Sequence, residues 1–247
     1  MKELKIRAHF KHDPLTVKVF TEKAEAYLKL LQRIQPKFAD FLILQTGLEK
    51  TPIKADYSNF KELFYKGCFD KDWAYTNLDK HGNGTDESTG DFMVWISNRK
   101  RQTDDQFLIK FSINNDDLKN NHSTVQIDLP VNEDVFFDWK FCSELLKVTA
   151  AFWNAEFASI YTLDFARKVV GKNTSFDIGW INYFPNQDIL GLITIKDVDS
   201  IVQTNLGQCI VTITESMPDD NNPEYVDKAI KFRDKITPHG LLNWKQE

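Results

Sequence analysis

The sequence predicts an α+β fold in which helices pack on a mainly antiparallel sheet. Segments of alternating apolar and polar residues follow one another through short turns between residues 92 and 129, and again between residues 178 and 214. Apolar stripes with helical spacing lie in separate blocks, so strands and helices do not alternate as they do in parallel α/β folds. The 247 residues contain no repeat or convincing linker, which predicts a single domain over residues 1–247.

The first half of the chain is expected to begin with a strand and a long helix. Leu4, Ile6 and Ala8 alternate with charged residues, as in a half-buried strand. An apolar stripe from residue 20 predicts the helix, which Pro36 breaks or kinks before a second helical piece over residues 38–44. The elements expected next are a short helix over residues 59–66, a long exposed loop over residues 70–91, and strands over residues 92–98, 106–113 and 123–129.

The second half is expected to begin with a helix over residues 136–153. Its predicted buried face carries Phe141, Leu145, Val148 and Phe152. The 19 Phe of the chain are expected to lie mostly in the core. The elements expected after this helix are a strand over residues 156–161, a short helix over residues 163–170, strands over residues 178–184, 190–195, 200–205 and 208–214, and a helix over residues 223–236.

Composition and charge restrict the classes of function. The net charge of −5 argues against a surface that binds nucleic acid, because such surfaces use Lys and Arg to neutralise phosphates. Cys68, Cys142 and Cys209 are odd in number and lie far apart, which argues against a disulfide framework. The first ten residues lack the apolar core expected of a signal peptide, and no apolar run approaches about 20 residues, so we expect a cytoplasmic protein that does not enter a membrane.

An acid-rich stretch near the C-terminus, "M-P-D-D-N-N-P-E-Y-V", could either hold a calcium ion or begin a helix. A calcium loop that starts at Asp219 would need Gly at its sixth position and Glu at its twelfth, where this sequence has Glu and Lys. Asn222 followed by Pro223 fits the first residues of a helix, with Asn222 as the N-cap. Helix capping is therefore the preferred interpretation.

A second polar cluster, "H-F-K-H-D" (residues 9–13), contains two histidines three positions apart. On a strand such residues point to opposite faces, so a zinc site would need further ligands, and Asp13 with Pro14 commonly begins a helix. The sequence contains no phosphate-binding loop, dinucleotide-binding motif, nucleophile elbow or zinc-protease motif. We therefore predict no metal ligand and no cofactor, and no motif nominates a catalytic residue, although isolated carboxylates can still act in catalysis.

Three blocks of the sequence carry a resemblance to a known family. The first is "A-Y-L-K-L-L-Q-R-I-Q-P-K-F-A-D-F" (residues 26–41), where a long helix closes on an apolar-x-Pro-x-Phe-Ala pattern. The second is "D-I-G-W-I-N-Y-F" (residues 177–184), where Gly-Trp precedes a strand. The third runs from "I-V-T-I-T-E-S-M-P-D-D-N-N-P-E-Y-V" to "H-G-L-L" (residues 210–242). In their order and spacing the blocks resemble bacterial immunity protein family 52, whereas residues 47–129 have no match to it.

The resemblance implies an antidote used in competition between bacteria. Members of the family protect the producing cell and its siblings from secreted nuclease toxins of the restriction-endonuclease-like kind, which are polymorphic toxins often delivered by the type VI secretion system. They act by stoichiometric binding of the toxin, so no catalytic residues transfer, and the resemblance implies a protein that is not an enzyme. The resemblance implies structural roles for Gly179, Trp180, Asn222 and Pro223, with Trp180 in the core.

The acidic charge predicts where such a protein would meet its toxin. A nuclease needs a basic cleft for its substrate, and an acidic inhibitor is attracted to that cleft. The predicted partner-binding residues are Asp79, Asp86, Glu87, Asp91, Asp104, Asp105, Asp116 and Asp117. The alternative is that these carboxylates are solvated charges that keep the protein soluble.

Two other classes of function stay open. An enzyme, such as a hydrolase that uses isolated carboxylates, would act at substoichiometric amounts. An adaptor of the secretion system would bind a non-toxic partner and would give no protection. The sequence also leaves open the identity of the toxin and the oligomeric state, including a homodimer.

Overall fold

The computed structural model describes residues 3–44, 51–69, 75–99, 106–115, 123–131, 133–172, 174–217 and 219–243. The strands are β1 (Lys5–Phe10), β2 (Leu42–Ile43), β3 (Tyr75–Thr76), β4 (Thr89–Gly90), β5 (Phe92–Ser97), β6 (Leu108–Ile113), β7 (Ser123–Asp128), β8 (Phe157–Tyr161), β9 (Ile181–Phe184), β10 (Ser200–Gln203) and β11 (Cys209–Thr212). The α-helices are α1 (Val17–Ile34), α2 (Phe60–Cys68), α3 (Trp139–Trp153), α4 (Leu163–Val169) and α5 (Pro223–Ile236). Short 3-10 helices lie at Asp134–Phe137, Asp188–Gly191 and Thr237–His239. These elements confirm the predicted α+β fold.

Contacts within the chain form two compact units. The first consists of Met1–Phe10 and Asp128–Glu247, and the second consists of Lys11–Ile127. The single domain over residues 1–247 stays a prediction. Within the described ranges, no helix is both long enough and apolar enough to cross a bilayer.

The first unit contains a sheet with the strand order β10-β11-β9-β8-β1, in which every neighbouring pair is antiparallel. Helix α3 packs on one face, where Phe10 stacks on Trp153 with ring centroids 5.0 Å apart. The other face packs against α4 and α5 in a core that includes Phe157, Phe184 and Phe232. The sheet of this unit is therefore covered by helices on both faces.

The second unit has the strand order β7-β6-β5-β2, with α1 and α2 as its helices. Its core is aromatic, since the ring centroid of Phe20 lies 5.0 Å from that of Phe64, 5.7 Å from that of Phe92 and 6.0 Å from that of Phe111. Of the 19 Phe in the chain, 15 are buried, which confirms the expectation that they lie mostly in the core.

Gly179 and Trp180 fix the start of β9 in the first unit. The Trp180 side chain is fully buried, and its indole Nε1 donates to the carbonyl of Thr214 at 2.5 Å. Asn182 bonds both backbone groups of Gly179, at 2.8 and 3.0 Å. A Cβ atom on Gly179 would lie 2.2 Å from the carbonyl oxygen of Ile160, so the backbone needs a glycine here. The expected structural roles of Gly179 and Trp180 are confirmed.

The start of α5 confirms the capping interpretation of the acid-rich stretch. The side chain of Asn222 accepts a hydrogen bond from the Glu224 amide at 3.0 Å, and Pro223 is the first helical residue. Asp219 accepts from the Asn221 amide at 2.9 Å, so its carboxylate organises the turn before the cap.

The predicted helical piece over residues 38–44 is wrong. Helix α1 ends at Ile34, because Gln35 precedes a proline and adopts an extended conformation. Asp40 then takes the left-handed conformation with φ of 55°, which redirects the chain into β2. The buried Phe38 and Phe41 belong to this turn and strand connection, and their spacing imitates a helical stripe.

The predicted strand over residues 190–195 is also wrong. Ile189 and Ile193 are both buried and are four positions apart, a spacing that suits a helical turn better than a strand. The chain forms a 3-10 helix over Asp188–Gly191 followed by a turn, in which Asp197 accepts from the Thr194 amide at 2.8 Å. Ile195 consequently lies outside the core and is 80% exposed.

The buried face of α3 differs from the prediction by a small rotation. Of the four predicted core residues only Leu145 is fully buried, and Phe141, Val148 and Phe152 are half-buried. The fully buried residues of α3 are Cys142, Leu145, Leu146, Thr149, Ala150 and Trp153. Two adjacent stripes of this helix are apolar, and the sequence does not indicate which one faces the sheet.

Candidate functional site

Four of the predicted partner-binding residues, Asp79, Asp86, Glu87 and Asp91, lie in one segment, residues 75–91, which we call the polar hairpin. It replaces the predicted irregular loop with a short two-stranded ladder between β3 and β4. Its described residues carry these four carboxylates against Lys80 alone among lysines and arginines. The other predicted residues, Asp104, Asp105, Asp116 and Asp117, lie outside the described ranges, as do residues 70–74 of the expected loop.

Asp79 organises the tip of the polar hairpin. Its carboxylate accepts hydrogen bonds from the amides of His81 and Asn83, both at 2.8 Å, and from the side-chain amide of Asn83 at 3.0 Å. These bonds, with the Asn83 side chain first, lower the pKa of Asp79. Asp79 is exposed, but its carboxylate is already used within the loop.

Asp86 connects the polar hairpin to the two helices of the second unit. The hydroxyl of Tyr65 on α2 donates to its carboxylate at 2.5 Å, and Lys61 lies 3.1 Å from the other carboxylate oxygen. The backbone carbonyl of Asp86 accepts from the amide of Lys18 on α1 at 3.3 Å. The bond from Tyr65 is the main cause of a lowered pKa at Asp86, whereas burial first and Asp86 second raise the pKa of Tyr65.

We expect Tyr65→Phe to raise the pKa of Asp86 toward the ordinary aspartate value, because the variant lacks the donating hydroxyl. A lowered pKa in the folded state stabilises the protein above the pKa of the unfolded chain, and this contribution disappears as the pH falls through the folded value. Tyr65→Phe should therefore lose less stability than the parent protein between roughly pH 5 and pH 2. Titration of the side-chain carboxyl by NMR measures the shift. Tyr57→Phe is the control, since the Tyr57 hydroxyl donates to Gln32, and equal Asp86 titration curves in all three proteins would contradict the assignment.

Asp91 and Asn115 form a buried junction that sequence reasoning missed. Asp91 accepts from the Asn115 amide at 2.8 Å. The Asn115 side chain bonds both backbone groups of Leu15, at 2.9 and 3.0 Å, and donates to the carbonyl of Gly90 at 2.6 Å. Leu15 lies 100 residues away in the chain, so no local sequence pattern around Asn115 indicates this partner.

Glu87 is the one predicted acid of the polar hairpin whose carboxylate faces solvent with no hydrogen bond to another described residue. Its backbone carbonyl accepts from the Asn77 side chain at 3.2 Å, which holds the residue in place. The structure thus separates three carboxylates that maintain the hairpin from one that is presented to solvent.

His12 and Ser123 make a second polar contact in the second unit. The His12 ring lies with Nδ1 2.6 Å from the carbonyl of Asp13 and Nε2 2.6 Å from the hydroxyl of Ser123. A proton on Nδ1 suits both contacts, because Nε2 then accepts from the hydroxyl. Burial is the largest cause of a lowered pKa at His12. Ser123 also accepts from the Asn114 amide at 3.0 Å and is fully buried, so the pair braces the turn before α1.

Lys5 centres a buried ion-pair cluster in the first unit. Its ammonium lies 2.8 Å from Asp128 and 2.9 Å from Glu3, and its side chain is 8% exposed. The alternation of β1 predicts that its charged residues face water, and Lys5 departs from that pattern.

Arg7 lies 5.8 Å above the Tyr161 ring, and burial raises the pKa of that tyrosine to about 12. His9 continues the same face of β1, 5.0 Å from the Phe176 ring.

A cleft of about 390 Å³ lies beside α1 in the second unit, lined by Lys29, Gln32, Arg33, Ala55, Asp56 and Tyr57. The Tyr57 hydroxyl donates to Gln32 at 3.1 Å, and the Lys29 ammonium lies 4.8 Å from the centre of the Tyr57 ring. Among residues with described positions, no group of three or more His, Cys, Asp or Glu is arranged to hold a metal ion.

No protein-family model and no curated protein matches this sequence. Among solved structures, the fold is similar to that of the Pseudomonas aeruginosa T6SS protein PA0821, with a TM-score of 0.51 and 11% sequence identity. The similarity covers 93% of this chain and 72% of that chain. At this level of identity the likeness is one of fold.

Proposed function

We propose that this protein is an immunity protein that binds a cognate secreted nuclease toxin and neutralises it at equal molar amounts. The observation that carries the proposal is the similarity of fold, over 93% of the chain, to a protein named for T6SS. The three sequence blocks that resemble immunity family 52 support the same kind of system from a separate source. The proposed protection takes place in the cytoplasm of the producing bacterium.

The residues of the family-like blocks suit the role of a scaffold. Gly179 and Trp180 are buried against neighbouring strands, and Asn222 caps α5. The polar hairpin comes instead from residues 47–129, the stretch without a match to the family. A surface that recognises one particular toxin is expected to vary between family members, and loops on a fixed scaffold commonly carry such surfaces.

The polar hairpin is our proposed contact surface for the toxin. Asp79, Asp86 and Asp91 are held by hydrogen bonds within the second unit, so the hairpin loses little conformational freedom on binding. Glu87 is displayed beside them, and the lone basic residue of the hairpin, Lys80, leaves the described segment negative. Such a surface accelerates encounter with a basic nuclease cleft and competes there with the nucleic acid.

We expect Glu87→Lys to reduce the association rate constant for the toxin about fivefold at low salt, because charges at an interface act mainly on the rate of encounter. The measurement is surface-based kinetics at several salt concentrations, with a catalytically inactive form of the proposed cognate nuclease as the binding partner. The difference between the variant and the parent should shrink as salt screens the charge.

Glu215→Lys is the matched control, since it makes the same change of charge at an exposed glutamate of the first unit. Equal loss of rate in both variants would indicate that net charge, and no particular surface, guides the toxin. An unchanged rate in Glu87→Lys would remove the hairpin from the proposal.

Protection of cells tests the function itself. Bacteria that express the proposed cognate nuclease should survive when this protein is co-expressed, and their survival should follow the ratio of the two proteins. Protection at a small fraction of the toxin level would favour a hydrolase, and absence of both binding and protection would favour an adaptor of the secretion system.

A further inference from the structure

Strand β10 lies at the end of the five-stranded sheet of the first unit. It pairs with β11 on one side, and no described strand pairs with its other side. Edge strands usually carry Lys, Pro or inward charges that prevent pairing with another chain. The four residues of β10, "S-I-V-Q", contain none of these. The strand therefore presents an edge that another strand can join.

The two most exposed large apolar side chains among the described residues lie before and after β10 in the chain. Leu206, in the turn after β10, is 82% exposed, and Ile195, in the turn before it, is 80% exposed. Val202, inside the strand, is 48% exposed. Three exposed large apolar residues within twelve positions mark an interaction surface more than they mark an ordinary soluble face.

The hydrogen bonds of the hairpin show which backbone groups of β10 point outward. The Thr204 amide donates to the carbonyl of Gln208 at 2.8 Å, next to a turn in which Gly207 has φ of 81°. Bonded pairs alternate along an antiparallel ladder, so Val202 and Ser200 also bond inward to β11. The amides and carbonyls of Ile201 and Gln203 therefore face the open edge.

We propose that this edge is a homodimer interface, in which β10 pairs antiparallel with β10 of a second copy about a two-fold axis at Val202. Ile201 of each copy then lies opposite Gln203 of the other, and the outward groups of both residues are bonded. The result is about four hydrogen bonds between backbones for each dimer. The two Val202 side chains meet on one face at a non-bonded pair, where strands approach most closely.

The other two-fold registers use fewer outward groups. An axis at Ile201 places Gln203 opposite Asp199, whose amide bonds inward to Thr212 at 3.1 Å, as in a β-bulge. An axis at Gln203 places Ile201 opposite Asn205, which lies in the turn. Both registers therefore lose one of the two bonded pairs, and the axis at Val202 is the favoured one.

The charges of the side chains near β10 are compatible with this pairing. With the axis at Val202, the facing positions are Ser200 with Thr204, Ile201 with Gln203, and Val202 with Val202, and none of these residues is charged. No two like charges face each other directly, so the edge is complementary to itself. The exposed Leu206 of one copy approaches the end of the strand that Ile195 of the second copy flanks. Since four-residue strands form a small interface, we expect a reversible dimer.

A cysteine at the axis tests the register directly. In Val202→Cys the two Cα atoms would lie about 4.5 Å apart, within the range of a disulfide. Mild oxidation should give a covalent dimer on a non-reducing gel. Cys68, Cys142 and Cys209 are buried and should not interfere.

Ser200→Cys and Thr204→Cys are the matched controls. Each cysteine would lie roughly 13 Å from its own copy, four strand positions away, and should not form a dimer alone. A mixture of the two variants should cross-link, because residue 200 faces residue 204 of the second copy. Equal cross-linking of all three single variants, or none at Val202→Cys, would overturn the proposal.

Charge at the axis gives a second test without oxidation. Val202→Lys should raise the dissociation constant of the dimer about tenfold or more, because two like charges face each other. Val19→Lys is the control, with similar exposure on α1. Sedimentation between roughly 1 µM and 1 mM covers the range of a weak dimer. A parent protein that stays monomeric throughout, or an edge that only the toxin protects from hydrogen exchange, would contradict the proposal. Toxin binding is measured separately, so either proposal can fail alone.

Discussion

Gly179→Ala is expected to destabilise the protein by about 3 kcal/mol or more, which is the upper part of the range for an overpacked core. The added Cβ would lie 2.2 Å from the carbonyl oxygen of Ile160 and 2.8 Å from its carbonyl carbon. These are backbone atoms inside the ladder between β8 and β9, so no flexible side chain can move aside. The amide of Trp180 donates to the same carbonyl at 2.6 Å, and any shift of Ile160 would disturb that bond. Urea unfolding followed by tryptophan fluorescence measures the change.

Gly191→Ala is the control for this prediction. No heavy atom lies within 4 Å of the Cβ position at Gly191, and the residue is exposed. We expect its free energy of unfolding to change by less than about 0.5 kcal/mol. Similar losses in the two variants would show that the close approach of Gly179 to β8 is not what requires glycine there.

Lys5→Met is expected to cost about 3 kcal/mol of stability, the lower end of the range for breaking a buried ion pair. The cost arises because Asp128, whose side chain is 10% exposed, loses the ammonium 2.8 Å away. Met has a similar length and fills the space of the lysine stem, so the loss reflects charge more than packing. Denaturant unfolding of the variant and the parent at the same pH and salt concentration gives the difference.

A second substitution separates the charge from the packing. Lys5→Met combined with Asp128→Leu should recover about 1 kcal/mol or more relative to Lys5→Met alone, because the buried carboxylate that lost the ammonium is removed. Lys66→Met is the control, since its partner Glu62 is 70% exposed and such pairs contribute little. If the double variant is less stable than Lys5→Met, the ion pair is not the reason for the loss.

Local patterns were sufficient to predict most elements of the fold. Alternation predicted β1 and β5, and an N-cap followed by proline predicted the start of α5. The failures at residues 38–44 and 190–195 have different causes. Phe38 and Phe41 have helical spacing but lie in a turn and strand connection, whereas residues 190–195 were predicted as a strand although the chain there forms a 3-10 helix and a turn. Asp40 in the left-handed conformation decides the first case, and its conformation depends on tertiary packing.

The candidate site was harder to predict, because the fate of a carboxylate depends on partners far along the chain. Asp86 and Glu87 are adjacent in sequence, yet Asp86 is held by Tyr65 and Lys61 while Glu87 faces solvent. Likewise, no local pattern shows that Asn115 bonds Leu15 or that Lys5 is buried. Charge runs in a sequence thus identify a polar segment, and three-dimensional contacts identify the acids that remain available to a partner.

We propose that this protein acts by occupying another protein, and a titration of nuclease activity tests this mode of action. A fixed amount of the proposed cognate nuclease is mixed with increasing amounts of this protein, and cleavage of DNA is followed. We predict that activity falls linearly and ends at a molar ratio of one, counted per chain. Complete inhibition at a small fraction of that ratio, or full activity at large excess, would contradict the account.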